Sequence, residues 1–144
     1  MHPQRIAVCI FALLGALSAF MPWIDLPILP SKSGTDLCGW VCFTLYLVTI
    51  VAALLPKIKM SFSDFQLFAV ITPASLASAA VIWQMLHLRE EYGALVDNPI
   101  SKALDFEIEY ELGFYLSLLS GMLIAVIAVL FRLLDRKTVQ SNIV

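Results

Sequence analysis

The stretch from Leu112 to Leu134 reads LGFYLSLLSGMLIAVIAVLFRLL, and its one charged residue, Arg132, stands near its end. A helix of about 20 apolar residues spans the hydrocarbon core of a bilayer, which is about 30 Å thick. A helix of a soluble bundle would show polar residues every three to four positions along one face, and this stretch does not. The sequence therefore predicts a membrane-spanning helix here.

Three further stretches have the same character, over residues 6–23, 37–55 and 65–88. The whole chain is 60% hydrophobic and 14% charged, whereas soluble domains are about half apolar and a quarter charged. Although residues 16–18 resemble the cleavage site of a signal peptide, we interpret the first stretch as a retained span. We expect one domain over residues 1–144, an all-α membrane protein built as a bundle of four transmembrane helices.

Lysine and arginine are concentrated on one side of these four spans. On that side six cations stand against two acids, and on the other side three cations stand against nine acids. Cytoplasmic loops carry the excess of positive residues in membrane proteins. This predicts a multi-pass protein of the plasma membrane, or of a bacterial inner membrane, with both termini cytoplasmic. The basic side carries Arg5, Lys57, Lys59, Arg132, Arg136 and Lys137.

Small side chains recur at intervals of four within the predicted spans. Apolar side chains gain little by meeting each other in lipid, so close approach of backbones at small residues stabilises helix pairs. We expect these positions to pack helices within the chain; a seam between copies of the chain is the alternative. The predicted packing residues are Gly15, Ala16, Ser75, Ala79, Ser117, Gly121 and Ala125.

The second outer segment, residues 105–112, alternates acidic and apolar residues without interruption. Alternation with period two is typical of a strand with one buried face, here Phe106, Ile108 and Tyr110. Because a strand needs a partner, we expect the first outer loop, residues 22–36, to supply one or two strands of a small antiparallel β cap. The alternative is that the segment extends the fourth helix, since glutamate favours helix over strand.

The predicted cap is also the expected partner surface. Its acids form a solvated face, and the alternative is a docking surface for a basic partner or a divalent cation. Aromatic side chains of the cap and of the span ends are expected to organise it. The residues assigned to this surface are Trp23, Trp40, Phe106, Glu107, Glu109, Tyr110 and Glu111.

Four short motifs give the chain a resemblance to the claudin-type tetraspan superfamily. They are Met21-Pro22-Trp23, Gly39-Trp40 followed by Cys42, Tyr110 to Gly113, and Leu118 to Gly121. The resemblance implies a left-handed four-helix bundle topped by an extracellular sheet. The first loop is shorter than in that family and lacks its paired cysteines, which argues against a junction-forming or pore role. A small prokaryotic tetraspan of the same layout is the alternative.

The spans lack the ionisable groups that transporters and proton relays keep inside the membrane. We therefore expect no enzyme activity, no cofactor, no metal site and no nucleic acid partner. Cys9, Cys38 and Cys42 are expected to be free thiols; a Cys38–Cys42 disulfide would require a helix that begins after Cys38.

The function predicted is non-enzymatic. The chain would act through contacts with the lipid bilayer and with other membrane proteins or itself, as an accessory or assembly subunit or a claudin-like interaction protein. The alternatives are a small oligomeric channel or carrier, and a membrane immunity protein against a pore-forming toxin.

Overall fold

Four helices form the body of the protein in the computed structural model, which describes residues 2–26, 29–55, 62–96 and 108–141. α1 contacts α2 and α4, and α3 contacts the same two neighbours, so the helices stand around the bundle in chain order. The predicted mostly helical, four-helix architecture is therefore confirmed. The helices are α1 (Pro3–Ser18), α2 (Gly39–Leu54), α3 (Asp64–Val96) and α4 (Leu112–Ser141).

The helices differ in length, and two of them meet the length and composition required of a membrane span. The segments Asp64–Tyr92 and Leu112–Leu134 are long and apolar enough to cross a membrane, since each contains an 18-residue window of high mean hydropathy, 1.8 and 2.5 respectively. α1 and α2 are apolar but have 16 residues each. Both helices are shorter than the predicted spans 6–23 and 37–55.

The chain leaves α1 early because Pro22 follows. A residue before proline is pushed out of the helical region of φ and ψ, and the strand that starts at Pro22 takes over. α2 begins late because a 3₁₀ turn, Gly34–Asp36, precedes it and Leu37 has a non-helical backbone (φ −113°, ψ −124°). Residues that the sequence assigned to spans thus lie in the cap.

A three-stranded antiparallel sheet lies at one end of the bundle. Its strands are β1 (Pro22–Leu26), β2 (Leu29–Ser33) and β3 (Glu109–Tyr110), in the order β2-β1-β3. In the register, Ile24 of β1 lies opposite Lys32 of β2 and Tyr110 of β3. The predicted cap, with two strands from the first loop, is confirmed. The alternative, a fourth helix extended through Glu109 and Tyr110, is wrong because α4 begins at Leu112.

The apolar face of β3 is turned inward as the alternation predicted. Ile108 and Tyr110 pack against buried Ile24 and against Leu88 of α3, whereas Glu109 is exposed. Phe106 and Glu107 lie outside the described residues. We refer below to this end of the bundle as the sheet end, and to the opposite end, where α1 begins, as the Arg5 end.

Candidate interaction surfaces

The centre of the bundle is built around Tyr46 of α2. Its ring is fully buried, and its hydroxyl donates a hydrogen bond to the carbonyl of Ser117 on α4. A Cβ atom on Gly15 of α1 would lie 2.6 Å from Cζ of Tyr46, and one on Gly121 of α4 would lie 3.1 Å from its hydroxyl. The two glycines therefore make room for one aromatic ring between three helices.

Close packing of α3 on α4 also passes through Gly121. A Cβ there would overlap the Ser78 hydroxyl and would lie 2.6 Å from the carbonyl oxygen of Ala74. The Ser78 hydroxyl donates to the Leu118 carbonyl at 3.2 Å. The backbones of α3 and α4 therefore lie so close at Gly121 that no larger side chain fits there, as expected for helix pairs joined by small residues.

The predicted packing residues divide into two groups. Gly15, Ala16, Ser117 and Gly121 are buried and Ala125 is half-buried, whereas Ser75 and Ala79 are exposed. The buried face of α3 includes instead Ala74, Ala77, Ser78 and Val81. α3 is apolar on all sides, so the sequence pattern did not identify which side faces the bundle.

Two apolar grooves border the exposed face of α3. The first, about 450 Å³, lies between α3 and α4; the second, about 470 Å³, lies between α2 and α3. Ala79 lines both, and the predicted residues Ser75, Gly121 and Ala125 line the first. We call the surface formed by these two grooves and the strip of α3 between them the α3 face. Its lining residues are Val41, Leu45, Ser75, Leu76, Ser78, Ala79, Ala80, Ile82, Trp83, Gly121, Met122, Ala125 and Val126.

Trp23 lies in the interior of the bundle at the sheet end and not on its surface. It is fully buried, its Nε1 donates to the Ser18 carbonyl at 2.8 Å, and its ring meets Phe114 edge-on with centroids 5.9 Å apart. A side chain at Gly34 or Gly113 would collide with it. This residue, assigned to the partner surface from the sequence, is part of the core.

Other members of the predicted partner surface are accessible. Trp40 is 56% exposed and meets Phe20 and Phe43 edge-on. Glu109 is exposed, and Glu111 and Tyr110 are half-buried. Burial raises the pKa of Tyr110, and nearby Arg89 partly offsets this rise.

Arg5 and Gln4 form a polar clamp at the other end of the bundle, although the sequence marked Arg5 only as a topological charge. Arg5 is fully buried; its Nη1 donates to the carbonyls of Ala53 at 2.6 Å and Leu55 at 3.2 Å. Its Nη2 donates to Oε1 of Gln66 at 2.9 Å. The last carbonyls of a helix have no intrahelical donors, and a cation there also meets the negative end of the helix dipole.

The clamp also reaches α4 and the residue Phe62, which lies just before α3. Gln4 donates to the Ala128 carbonyl of α4 at 2.9 Å and accepts from the Phe62 backbone N–H at 3.3 Å. The guanidinium carbon of Arg5 lies 4.7 Å from the centre of the Phe62 ring. A signal for this role was present in the sequence. Arg5 stands seven residues before Ala12, on the stripe that continues through Gly15 and Ala16.

The cysteines are free, as expected from the sequence. Cys38 and Cys42 belong to one helical turn, since the Cys42 N–H donates to the Cys38 carbonyl at 3.2 Å. Each thiol donates across to α3, to the carbonyls of Ala80 and Ala77 respectively, at 3.7 Å. The two thiols therefore join α2 to α3.

His87 stacks flat on Trp83 near the sheet end, with ring centroids 5.5 Å apart. Among the residues that the structure describes, no group of three or more His, Cys, Asp or Glu side chains could hold a metal ion.

Comparison of the chain with protein-family models, with curated proteins and with solved structures finds no match.

Proposed function

We propose that this chain is a non-enzymatic membrane protein of four spans that acts through lateral contacts, as an accessory or assembly subunit for other membrane proteins. The α3 face is the docking surface for a transmembrane helix of the partner. The observation that carries the proposal is the pair of apolar grooves on either side of exposed Ser75 and Ala79.

The exposed side chains support a membrane setting for all four helices. Large apolar residues are exposed along each of them, a surface that water would penalise. Exposed aromatics also cluster at two levels: Trp83 is 62% exposed near the sheet end, and Phe65 is 82% exposed near the Arg5 end. Their separation of about 18 residues corresponds to about 27 Å of helix, close to the roughly 30 Å hydrocarbon core.

Charge supports the orientation within that setting. The sheet end carries the acidic segments, whereas the predicted cytoplasmic side carries the cationic excess. In this orientation the sheet is extracytoplasmic and both termini are cytoplasmic. A reporter placed at Gly93, in the last turns of α3, should therefore react with membrane-impermeant reagents in intact cells.

The centre of the four-helix bundle is filled by side chains, which supports a function carried by the outer surface of the bundle. Tyr46 occupies the space between α1, α2 and α4, where a pore within one bundle would have to run. The α3 face, in contrast, presents small side chains between two grooves. A partner helix lying along it could bring its backbone close at Ser75 and Ala79 and place its larger side chains in the grooves.

The test is a substitution that fills the α3 face without touching the core. Ala79→Phe places a large side chain between the two grooves, and Leu13→Phe on the exposed side of α1 is the matched control. Each tagged variant and the wild type are purified in mild detergent, and co-purifying membrane proteins are quantified by mass spectrometry.

We expect a stoichiometric partner with the wild type and with Leu13→Phe, and at least a tenfold loss of that partner with Ala79→Phe. Equal recovery of the same partner by all three chains would overturn the docking surface. Recovery of the chain alone would overturn the accessory role.

A further inference from the structure

Two exposed hydroxyls lie near the middle of α3, on Thr72 and Ser75. They stand three residues apart and therefore share one side of the helix, with their Cβ atoms about 5–6 Å from each other. Ser75 lines the groove between α3 and α4, and Ala79, which lines both grooves, follows it by four residues. Thr72 lies about one turn from Ser75 towards the Arg5 end.

In the proposed membrane setting these hydroxyls lie close to the centre of the bilayer. Thr72 follows exposed Phe65 by seven residues, and Ser75 precedes exposed Trp83 by eight. Each hydroxyl is therefore about 10–12 Å along the helix from the nearer aromatic level. Water does not reach this depth, so a hydroxyl without a partner there costs free energy.

Neither hydroxyl makes a hydrogen bond within the part of the chain that the structure describes. The exposed hydroxyl of Thr44 on α2, in contrast, donates to the Trp40 carbonyl of its own helix at 2.9 Å. On the buried side of α3, the Ser78 hydroxyl donates to the Leu118 carbonyl of α4 at 3.2 Å. The two hydroxyls on the exposed side of α3 are thus available to a group outside the bundle.

A carboxamide is the uncharged side-chain group that fits this pair of hydroxyls. Its oxygen accepts a hydrogen bond from one hydroxyl, and its nitrogen donates to the oxygen of the other. A carboxylate or an ammonium group would bring a charge into the hydrocarbon layer, which is costly. A serine or threonine on the partner is shorter and tends to bond to the backbone of its own helix.

A second copy of the chain does not supply a carboxamide at this depth. Residues 6–23, 37–55, 67–83 and 112–134 contain neither asparagine nor glutamine. Gln66 belongs to the clamp at the Arg5 end, and Gln84, near the sheet end, is only 8% exposed. The carboxamide therefore belongs to a different protein.

We propose that the partner helix carries an asparagine or glutamine near the middle of its span, and that this carboxamide bonds to the hydroxyls of Thr72 and Ser75. This inference rests on the proposed function and names the chemistry of the partner at the same surface. Ala79 lets the two backbones approach, and the hydroxyls fix the depth at which the partner helix docks.

Energy transfer to model peptides tests the proposal in the full, unmodified chain. The chain is reconstituted in phosphatidylcholine vesicles, where its three tryptophans serve as fluorescence donors. The probes are two leucine-rich peptides of about 20 residues, each with a dansyl acceptor at one end and no tryptophan. One peptide has asparagine at its centre, and the other has leucine there.

We expect the asparagine peptide to reach half-maximal transfer at a concentration at least fivefold lower than the leucine peptide. The double variant Thr72→Val with Ser75→Ala removes both hydroxyls at nearly constant volume and should abolish this difference. Thr44→Val is the matched control, because the Thr44 hydroxyl is exposed but bonds within its own helix. This control should keep the preference for asparagine.

Equal transfer to both peptides, or transfer to neither, would overturn the proposal, and so would a preference for asparagine that survived in the double variant. Association of the chain with itself that the double variant abolished would overturn it too, because a second copy would then occupy the hydroxyls. The docking surface itself is judged separately by the co-purification assay with Ala79→Phe, so the two failures are distinguishable.

The partner recovered in that co-purification assay provides a second measurement. We expect one of its spans to have an asparagine or glutamine within about one helical turn of the middle. The double variant should recover at least fivefold less of this partner than the wild type does. A partner whose spans contained neither residue would contradict the proposal and would leave the accessory role intact.

Discussion

The two ends of the bundle satisfy their backbone hydrogen-bonding groups in different ways. At the sheet end the strands hydrogen-bond to each other through their backbones. At the Arg5 end polar side chains donate hydrogen bonds to backbone carbonyls. The Glu111 N–H donates to the Trp23 carbonyl at 2.8 Å and the Gly34 N–H donates to the Met21 carbonyl at 3.1 Å. At the Arg5 end, the carbonyls of Ala53 and Leu55 receive donors from long side chains instead.

Both ends have buried backbone carbonyls that need hydrogen-bond donors, and the two ends obtain these donors differently. A buried carbonyl without a donor destabilises the fold by about 1–3 kcal/mol, so neither end can leave its backbone unpaired. A sheet satisfies many groups with little dependence on any one side chain. The clamp depends on Gln4, Arg5 and Gln66, and we therefore expect single substitutions to act more strongly at the Arg5 end.

The largest effect is expected for Arg5→Met, which keeps much of the volume and removes the donors. Three charge-assisted hydrogen bonds, to the carbonyls of Ala53 and Leu55 and to Gln66, would be lost from a fully buried site. We expect a loss of about 4 kcal/mol in the free energy of unfolding, measured by denaturant titration in detergent micelles. Arg132→Met is the matched control.

The control removes an arginine from a partly exposed ion pair with Asp64, which contributes under about 1 kcal/mol. If the two methionine variants unfolded at the same denaturant concentration, the buried clamp would have no special role. The distinction between the two ends of the bundle would then fail.

The second largest loss of stability is expected for Gly121→Leu. Gly121 lies at the level of Tyr46, between the two ends of the bundle. The new side chain would overlap the Ser78 hydroxyl and the Ala74 carbonyl, and overpacking of this kind costs about 3 kcal/mol. Met122→Leu, at the exposed neighbouring position, should leave stability within about 0.5 kcal/mol of the wild type. Wild-type melting of Gly121→Leu in detergent would show that α3 and α4 are not packed at this residue.

A smaller effect is expected at the sheet end for Trp23→Phe. The substitution leaves the Ser18 carbonyl without the indole donor and removes part of a fully buried ring, which should cost about 2 kcal/mol. Trp40→Phe, at a site that is half-exposed, is the control and should unfold like the wild type. A Trp23→Phe loss as large as that of Arg5→Met would remove the predicted contrast between the ends.

The elements of the fold could be predicted from the sequence because their signals are local. Apolar stretches identified the four helices, and the alternation through Ile108, Glu109 and Tyr110 identified the strand. The ends of α1 and α2 could not be predicted, because the chain leaves α1 for strand β1, whose partners β2 and β3 lie further along the sequence. The expected claudin-type relationship stays a prediction.

The candidate surfaces were predicted only in part. Gly15 and Gly121 were identified as packing residues, but the ring that they accommodate, Tyr46, was not. Ser75 and Ala79 were placed inside the bundle because α3 has no polar side to indicate its orientation. Arg5 was assigned to the cytoplasmic side from its charge alone, although it stands on the helical stripe of α1 that continues through Ala12 and Gly15.

The smallest expected effect concerns Asp36, which caps the 3₁₀ turn between β2 and α2. The hydroxyl and the backbone N–H of Ser33 both donate to its carboxylate, at 2.8 and 3.0 Å, and they hold the pKa of Asp36 below its ordinary 3.8. A lowered pKa in the folded state means that the stabilisation is complete above the unfolded pKa and is lost as the pH falls through the folded value. Asp36→Asn should therefore be slightly less stable than the wild type at pH 7, and the difference should disappear as the pH is lowered below 3.8. Unfolding curves of both chains at pH 7 and in steps below pH 4 measure this. A difference that persisted unchanged in acid would mean that the turn is held by the backbone pairing of the sheet and that the carboxylate contributes nothing.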